Sequence, residues 1–206
     1  MELSAEEFII EEIEMDLYEV IEKRRTIRVF KSPATDDQLK RITLAGAKAP
    51  SAMYSQPWEF VIVEDQSLID KIADLKYKLT LKMAPPDGTD LDRFKQKAIA
   101  QRDSFRNASI LAVFHQKGQD ASAWSAIENI SLAAVTEGLG SGIAFYAPEE
   151  RSMIAELLGL PENYELTAVL KIGVPGEGGY PRENNPYGPK RPEFSWLHKN
   201  RYNRVD

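Results

Sequence analysis

The sequence predicts a single domain that mixes helices and strands. The chain of 206 residues is long enough to bury a sizeable core. Continuous apolar runs such as 110–114 are typical of buried strands. Apolar residues three and four positions apart, as in 17–25, are typical of amphipathic helices. Both patterns recur along the chain, so the domain is expected to contain both helices and strands.

The first elements lead into a short extended segment. Residues 1–15 form an acidic N-terminal extension that is predicted to be helical. Asp16 and Glu19 have the spacing of a capping box for a helix over 17–25. Residues 27–30 then have the pattern of an extended, partly buried segment.

The second firm helix has clear start and stop signals. Thr35 and Gln38 have the spacing of a capping box, and Pro50 ends the helix. One face of this helix carries apolar and small residues: Leu39, Ile42, Gly46 and Ala49. A loop over 51–57 follows. Its last residues lead into a strand, and we interpret Gln56, Pro57 and Trp58 as a buried amide, a turn and a core anchor.

The remaining elements continue both patterns. The further predicted helices span 66–84, 90–107, 121–138 and 149–158, and the predicted strands span 58–63, 110–114, 143–146 and 166–174. The helix over 121–138 has small residues along one side, which predicts a central or interface helix. The glycines from Gly138 onward follow a helix rather than a strand, so they do not fit a dinucleotide fingerprint. Gly138 is instead interpreted as a helix C-cap.

The last thirty or so residues combine turn formers with aromatic side chains. The segment after Val174 is rich in Pro and Gly and has no periodicity. It nevertheless keeps five aromatic residues: Tyr180, Tyr187, Phe194, Trp196 and Tyr202. Disordered tails are poor in aromatic residues. We therefore expect the segment to lie against a surface, such as that of a second subunit.

The charge of the chain argues against a nucleic-acid-binding protein. The formal net charge is −6, and the cations collect in two stretches, 24–31 and 182–204. No apolar run approaches the ~20 residues that a membrane span needs. The acidic N-terminus also lacks the basic start of a signal peptide. We therefore expect a cytoplasmic protein that binds neither nucleic acid nor membrane.

The residue types limit the chemistry. Because the chain has no Cys, it has no disulfide, no thiolate metal site and no thiol redox chemistry. Its two His residues make a histidine-built metal site improbable, and we interpret His115 and His198 as structural. If this chain performs redox chemistry, an organic cofactor must carry the electrons.

The stretch from Lys23 to Arg28 holds four cations and one hydroxyl. Arg24 and Arg25 are predicted to lie on the last turn of the first helix. A planar guanidinium suits a phosphate or a planar carbonyl edge better than an ammonium does. The alternative is that these cations only favour the helix dipole and that Arg28 faces solvent. The stretch taken alone leaves both alternatives open.

Four stretches in order resemble the FMN-dependent nitroreductase family. They are Arg-Arg-Thr-Ile-Arg-Val-Phe at 24–30, Ala-Pro-Ser-Ala-Met-Tyr-Ser-Gln-Pro-Trp at 49–58, Gly-Leu-Gly-Ser at 138–141 and Pro-Lys-Arg-Pro at 189–192. Each motif is weak, but four in the right order and spacing are specific. The resemblance covers about residues 16–204 and is loose between 64 and 119.

The resemblance implies an α+β fold, in which helices wrap an antiparallel-dominated sheet, within an intertwined homodimer. Residues 16–206 would form one FMN-binding domain, and each FMN would lie at the dimer interface. Residues 174–206 would form an extended C-terminal arm that embraces the partner subunit.

The resemblance also implies which residues bind the cofactor. Contacts to the phosphate and the ribityl chain would come from Arg24, Arg25, Thr26, Lys190 and Arg191, and Arg28 would lie near the pyrimidine edge of the flavin. Pro50, Ser51, Ala52 and Tyr54 would meet the flavin of the neighbouring subunit. Ile143, Ala144 and Phe145 match the strand that approaches flavin N5. Tyr54 is a departure, because the family usually has Asn there; this puts the polar contacts of that loop in doubt.

The activity that the resemblance implies is a ping-pong reaction. NADH or NADPH would reduce FMN, and a small-molecule acceptor such as a nitroaromatic or a quinone would then take two electrons. No catalytic side chain and no metal is assigned. The alternatives are other flavin reactions of the fold (dehalogenation, azoline oxidation, flavin fragmentation), a flavin-binding sensor closed by Tyr54 and Phe145, or a plain interaction module.

Overall fold

The computed structural model describes residues 15–177, 191–192 and 194–201. Within them lie six α-helices and five strands. The helices are α1 (Leu17–Lys23), α2 (Asp36–Ala47), α3 (Gln66–Lys82), α4 (Leu91–Asp103), α5 (Asp120–Thr136) and α6 (Pro148–Leu157). The strands are β1 (Phe30–Pro33), β2 (Trp58–Val63), β3 (Ser109–Gln116), β4 (Gly140–Ala144) and β5 (Tyr164–Pro175). The predicted helix within 1–15, Lys190 and most of the predicted arm lie outside the described residues.

The sheet is built around β5. This strand pairs antiparallel with β1, β3 and β4, and β3 pairs antiparallel with β2. In this register Lys171 of β5 lies opposite Gly142 of β4 and Ile110 of β3. One isolated parallel bridge joins Thr26 to Ser141. The antiparallel-dominated sheet is therefore confirmed.

Helices cover both faces of the sheet, and each face has its own core. On one face, α2 and α5 pack against the sheet through buried side chains that include Ile42, Ile127 and Leu170. On the other face, α3 and α6 pack through side chains that include Ile72 and Ile154. Burying a side chain of this size contributes roughly 1.5–3 kcal/mol. The sheet edges, which neither core covers, are therefore the places where a site can open.

Several local predictions hold. The capping box of α2 forms, because the Thr35 side chain accepts from the Gln38 amide while the Gln38 side chain accepts from the Thr35 amide. Gly138 has a φ of +70° directly after α5, as a helix-ending glycine requires. The small-residue face of α5 is buried within its own chain, and a Cβ at Gly46 of α2 would crowd Ile130. Of the two roles predicted for α5, the central one is confirmed.

Other local predictions were wrong. The side chain of Asp16 makes no capping hydrogen bond, and α1 ends at Lys23 because Arg24 takes an extended ψ of 127°. β4 begins at Gly140 rather than at residue 143, whereas residues 27–30 are partly buried as predicted, with only Phe30 belonging to β1. Gln56 is exposed with a φ of +45°, so it is not a buried amide. Pro57 and Trp58 are buried, so the buried part of this segment begins one residue after Gln56.

No described helix is both long enough and apolar enough to cross a membrane.

Candidate functional site

The segment from Arg24 to Val29 runs along the outer edge of β4. Thr26 forms a parallel bridge with Ser141, and the Ile27 amide donates to the Ser141 carbonyl at 2.8 Å. Further on, the Gly176 amide donates to the Val29 carbonyl at 2.8 Å. This edge pairing places Arg24, Arg25, Thr26 and Arg28 beside β4, which also carries Ile143 and Ala144. Two of the predicted groups of site residues therefore meet within one chain.

Glycines in β4 allow this close approach. A Cβ added at Gly142 would overlap the carbonyl oxygen of Ile27, and one at Gly140 would overlap the Ile27 side chain. Neither glycine has a positive φ, so the requirement is for space and not for backbone freedom. The glycine-rich stretch therefore holds the 24–29 segment against the sheet.

The four predicted contacts in this segment differ in their surroundings. Arg24 lies 3.8 Å from the Glu128 carboxylate on α5, and its side chain is about one-third exposed. Arg25 donates to the backbone carbonyls of Glu22 and, at 2.8 Å, of Arg24. Its guanidinium therefore satisfies carbonyls at the end of α1, as the helix-dipole alternative expects. Thr26 is exposed.

Arg28 lines a cavity of about 800 Å³ between the 28–30 segment and α4. The other lining residues are Val29, Phe30, Arg93, Phe94, Gln96, Lys97, Ala100, Gln101, Asp103, Ser104, Arg106 and Asn107. Counting Arg28, four of the lining residues are cationic, and one is acidic. That acid, Asp103, is already paired with Arg102 at 3.4 Å and with Arg106 at 3.3 Å. The cavity therefore favours an anionic ligand.

A lysine that sequence reasoning missed lies behind the cavity wall. Lys171 is buried, and its Nζ donates to Ser104 Oγ at 2.7 Å and lies 5.2 Å from the Phe105 ring centre. Ser104 Oγ in turn donates to the Gln101 carbonyl at 2.6 Å. Burial lowers the pKa of Lys171 to about 7, and the nearby cations Arg28 and Lys76 act in the same direction. In the sequence, Lys171 is the single charged residue of the predicted strand 166–174, which was the one sign of its importance.

Cations from α3 and α6 hold the chain that follows β4. Lys76 Nζ donates to the Phe145 carbonyl at 2.7 Å, and Arg151 Nε donates to the Tyr146 carbonyl at 2.9 Å. The Arg151 guanidinium also lies 4.3 Å from the Phe145 ring centre. Burial lowers the pKa of Lys76. The Tyr146 hydroxyl donates to the Ile72 carbonyl at 3.0 Å, which anchors the segment in the core.

At the end of β4 and at the residue that follows it, the predicted site residues alternate in exposure. Ile143 is 40 % exposed, Ala144 is buried and Phe145 is 51 % exposed. Ile143 and Phe145 therefore offer apolar surface next to the 24–29 segment, while Ala144 faces the core.

The turn over residues 50–56 stands apart from this edge. Met53 is 99 % exposed and Tyr54 is 81 % exposed, and both have a positive φ. Pro50 and Ala52 are also exposed, and Ser51 Oγ accepts from the Gln56 amide at 3.0 Å. Three residues of one short turn with positive φ imply backbone strain of roughly 1–3 kcal/mol each.

The same turn is tied to the start of α5. Ser55 Oγ donates to the Gln119 side chain at 2.8 Å, next to the first residue of α5. Arg24 contacts the same helix at Glu128, about 13 Å further along its axis at the usual rise per residue. Among the described residues that line the cavity at Arg28, none comes from the turn. That this turn meets a neighbouring subunit stays a prediction.

The structure also shows the surroundings of Arg191 and His115. Arg191 is exposed and donates to the Ser195 carbonyl at 3.1 Å, a local contact. Its predicted role at the phosphate stays a prediction, as does that of Lys190. His115 is buried and shares a 2.8 Å hydrogen bond with Thr167, as expected of a structural histidine.

Comparison with known proteins agrees with this geometry. The model of a family described as the nitroreductase family matches residues 21–174. The chain belongs to the nitroreductase family. The predicted family and fold are thereby confirmed, and the chain is an oxidoreductase of this family.

Its relatives within the family differ in activity. An iodotyrosine deiodinase of Thermotoga neapolitana is 30 % identical over 178 residues, which cover 81 % of this chain and 93 % of that protein. An NADH dehydrogenase of Thermus thermophilus is 26 % identical over 182 residues, which cover 80 % and 89 %. A crystal structure of oxidised iodotyrosine deiodinase bound to FMN and 3-iodo-L-tyrosine is similar with a TM-score of 0.70 at 27 % identity, covering 92 % and 100 %. Family membership alone therefore leaves the reaction open.

Proposed function

We propose that this chain is an FMN-dependent oxidoreductase that takes a hydride from NADH or NADPH and passes two electrons to a nitroaromatic or a quinone. The observation that carries the proposal is the pairing of the Arg24–Arg28 segment with β4 beside a cationic cavity. Donor and acceptor would use the cavity in turn, in a ping-pong sequence.

The residues present fit FMN. Its phosphate brings a charge of about −1.5 to −2 near neutral pH, and Arg24 and Thr26 offer a guanidinium and a hydroxyl on the segment that borders β4. Its ring has a planar edge of carbonyl groups, which suits the guanidinium of Arg28. A volume of about 800 Å³ lies within the usual range of roughly 300–1,000 Å³ for ligand cavities.

FMN, when bound, supplies the acceptance and donation of hydride. The chain supplies position and charge. Arg28 would lie beside the carbonyl edge of the ring, where its guanidinium would stabilise negative charge. Lys76 and Arg151 hold the backbone carbonyls of Phe145 and Tyr146, so the strand end that would approach the ring is positioned before a ligand binds. Solvent supplies the protons, and no protein acid or base is assigned.

A second copy of the chain would complete the site. We propose that Pro50, Ser51, Ala52 and Tyr54 reach the FMN of the partner in a homodimer, and that Lys190 and Arg191 contact the FMN phosphate. The exposed apolar side chains of α1, α2 and the 52–54 turn support this proposal: Leu17, Tyr18, Ile21, Leu44, Met53 and Tyr54. Exposed apolar groups of this kind are typical of surfaces that associate.

Reductive dehalogenation of a halogenated phenol is the second candidate. It is favoured by the 30 % identity to an iodotyrosine deiodinase over 93 % of that protein. The cationic lining of the cavity also suits a phenolate or carboxylate substrate. A nitroaromatic and a quinone need no such charge, so substrate charge separates the two candidates.

The first experiment is a visible spectrum of the purified protein before and after mild acid denaturation. We expect bands near ~370 and ~450 nm, as for any oxidised flavin, and release of FMN. The longer band should bleach with NADH or NADPH under anaerobic conditions, and recover on addition of menadione, nitrofurazone or 3-iodo-L-tyrosine according to the true acceptor. A colourless protein that takes up no added FMN would overturn the proposal. Bleaching of the longer band without steady consumption of NADH or NADPH would support the alternative of a flavin-binding sensor.

A further inference from the structure

A buried lysine side chain without an acidic partner lies next to the proposed flavin cavity. Lys171 is 2 % exposed, and its polar contact is the neutral hydroxyl of Ser104. The part of the chain that the structure describes places no carboxylate within ion-pair distance of Nζ. A buried charge of this kind is costly unless an opposite charge compensates it.

The geometry directs this ammonium toward the cavity. Ser104, which receives the Lys171 hydrogen bond, also lines the cavity together with Arg28. On the other side, Lys171 Cε lies 3.5 Å from the position of a Cβ at Gly142, where the Ile27 backbone also approaches. Lys171 is therefore enclosed between the 27–28 segment and the end of α4, one hydroxyl away from the cavity.

The groups around Lys171 are mostly cationic. Arg28 comes from the 24–29 segment and Lys76 from α3, and both disfavour its charge. The end of α4 supplies Arg102, Asp103 and Arg106, where the two arginines already pair with the acid. The paired positions on β3 and β4 are Ile110 and Gly142, which carry no charge. An anion in the cavity would thus be the compensating charge that this cluster lacks.

We infer that Lys171 is a positioning residue of the flavin cavity: when an anionic ligand binds beside Arg28, the Lys171 amine takes up a proton from solvent, and its charge stabilises the ligand across the wall that Ser104 forms. This inference rests on the proposed FMN site. The step is a proton transfer only: Nζ gains one N–H bond, and a proton donor in the solvent gives up that proton.

The sign of the linkage follows from the two protonation states. In the free protein Lys171 loses its proton near pH 7. An anion nearby favours the ammonium, so the pKa of Lys171 rises on binding. Below about pH 7 the residue is charged in both states, and affinity is maximal. Above that pH, binding must add a proton, and the affinity falls by up to about tenfold per pH unit until the pKa of the complex is reached.

A purely structural role makes a different prediction. If Lys171 only ties β5 to α4, then removing its charge changes stability but leaves the pH dependence of ligand affinity unaltered. The comparison of pH profiles therefore separates the two roles.

The test measures the dissociation constant of FMN for the apoprotein by flavin fluorescence, at pH about 6, 7, 8 and 9. The variants are Lys171→Met, which keeps the side-chain length without the charge, and Lys78→Met as an exposed control on α3. The FMN phosphate itself titrates near pH ~6, so the ratio of variant to unaltered protein is compared at each pH. We expect Lys171→Met to bind about tenfold more weakly at pH 6, with a difference that shrinks toward pH 9. The control ratio should stay near one throughout.

A second measurement needs no variant. Calorimetry of FMN binding at pH about 8, in two buffers of different ionisation enthalpy, counts the protons taken up when the phosphate is already fully ionised. We expect uptake of a substantial fraction of one proton. No uptake, or a pH-independent Lys171→Met ratio with FMN still bound, would overturn the inference alone. Failure of all three proteins to bind FMN would overturn the proposed function and the inference together.

Discussion

The edge of β4 and the 50–56 turn are two halves of the proposed site, and the chain builds them differently. At the β4 edge, backbone hydrogen bonds hold the 24–29 segment, and cations from α3 and α6 hold the residues after the strand. At the turn, Met53 and Tyr54 project into solvent from a strained backbone. The first half is complete within one chain, whereas the second has the properties of a surface that another molecule covers.

The comparison has a physical lesson. Contacts that must keep their geometry before a ligand binds are packed and hydrogen-bonded. Contacts supplied at an interface can remain exposed until the partner arrives, because association then buries their apolar surface. Substitutions in the two regions should therefore affect different measurements.

The largest effect is expected for Gly142→Val. Its Cβ would overlap the Ile27 carbonyl, so the 24–29 segment must leave the edge of β4. We expect a loss of roughly 2–4 kcal/mol in the free energy of unfolding and loss of FMN binding. Urea denaturation and FMN titration measure the two effects. The control is Gly159→Ala, which has open space and a φ of +72° and should cost about 1 kcal/mol, with FMN retained. Normal FMN affinity in Gly142→Val would show that the close approach is not needed.

The next largest effect is the pH dependence of folding stability, which should depend on the buried Lys171. The folded pKa of Lys171 is lowered to about 7, so between about pH 7 and its ordinary value near 10.5 the unfolded chain binds the extra proton. The contribution of this residue to stability therefore rises with pH in that window, by roughly 1 kcal/mol per unit. Denaturant unfolding of the apoprotein should show this rise, and Lys171→Met should lack it. Parallel curves for the two proteins would mean that Lys171 is not held in a charge-disfavouring site.

Arg24→Ala tests the ligand-facing part of the β4 edge. Removing a charge-assisted hydrogen bond to the phosphate should weaken FMN binding by roughly 1.5–3 kcal/mol. Folding stability should change little, because the Glu128 pair is long and partly exposed. Arg41→Ala is the control. Arg41 also pairs with a glutamate, Glu137, but it does not line the cavity. Equal FMN affinity in the Arg24 variant and the control would remove Arg24 from the site.

The smallest effect on folding is expected at the turn. Tyr54→Ala removes an exposed ring, so the free energy of unfolding of the monomer should change by less than about 0.5 kcal/mol. If a second copy covers the turn, sedimentation equilibrium should show a weaker dimer, and FMN should bind more weakly at low protein concentration. Lys48→Ala, an exposed residue between α2 and the turn, is the control. An unaltered dimer in Tyr54→Ala would place the turn outside the interface.

Local patterns in the sequence determined the elements and the family. Some features depend only on neighbours within a few residues, so the sequence alone predicts them. They are the capping box at Thr35, the apolar runs that form β2, β3 and β5, and the helix-ending Gly138. The ordered motifs at 24–30, 49–58 and 138–141 likewise identified the nitroreductase family before any contact was known.

Only the tertiary structure decided which of these residues lie together. The approach of Ile27 to Gly142 and the position of Lys171 behind Ser104 both depend on strand pairing between segments far apart in the chain. The sequence displayed Lys171 as one charge in an apolar strand, without the neighbours that lower its pKa. Burial and proximity are properties of the packed sheet, and no local pattern encodes them.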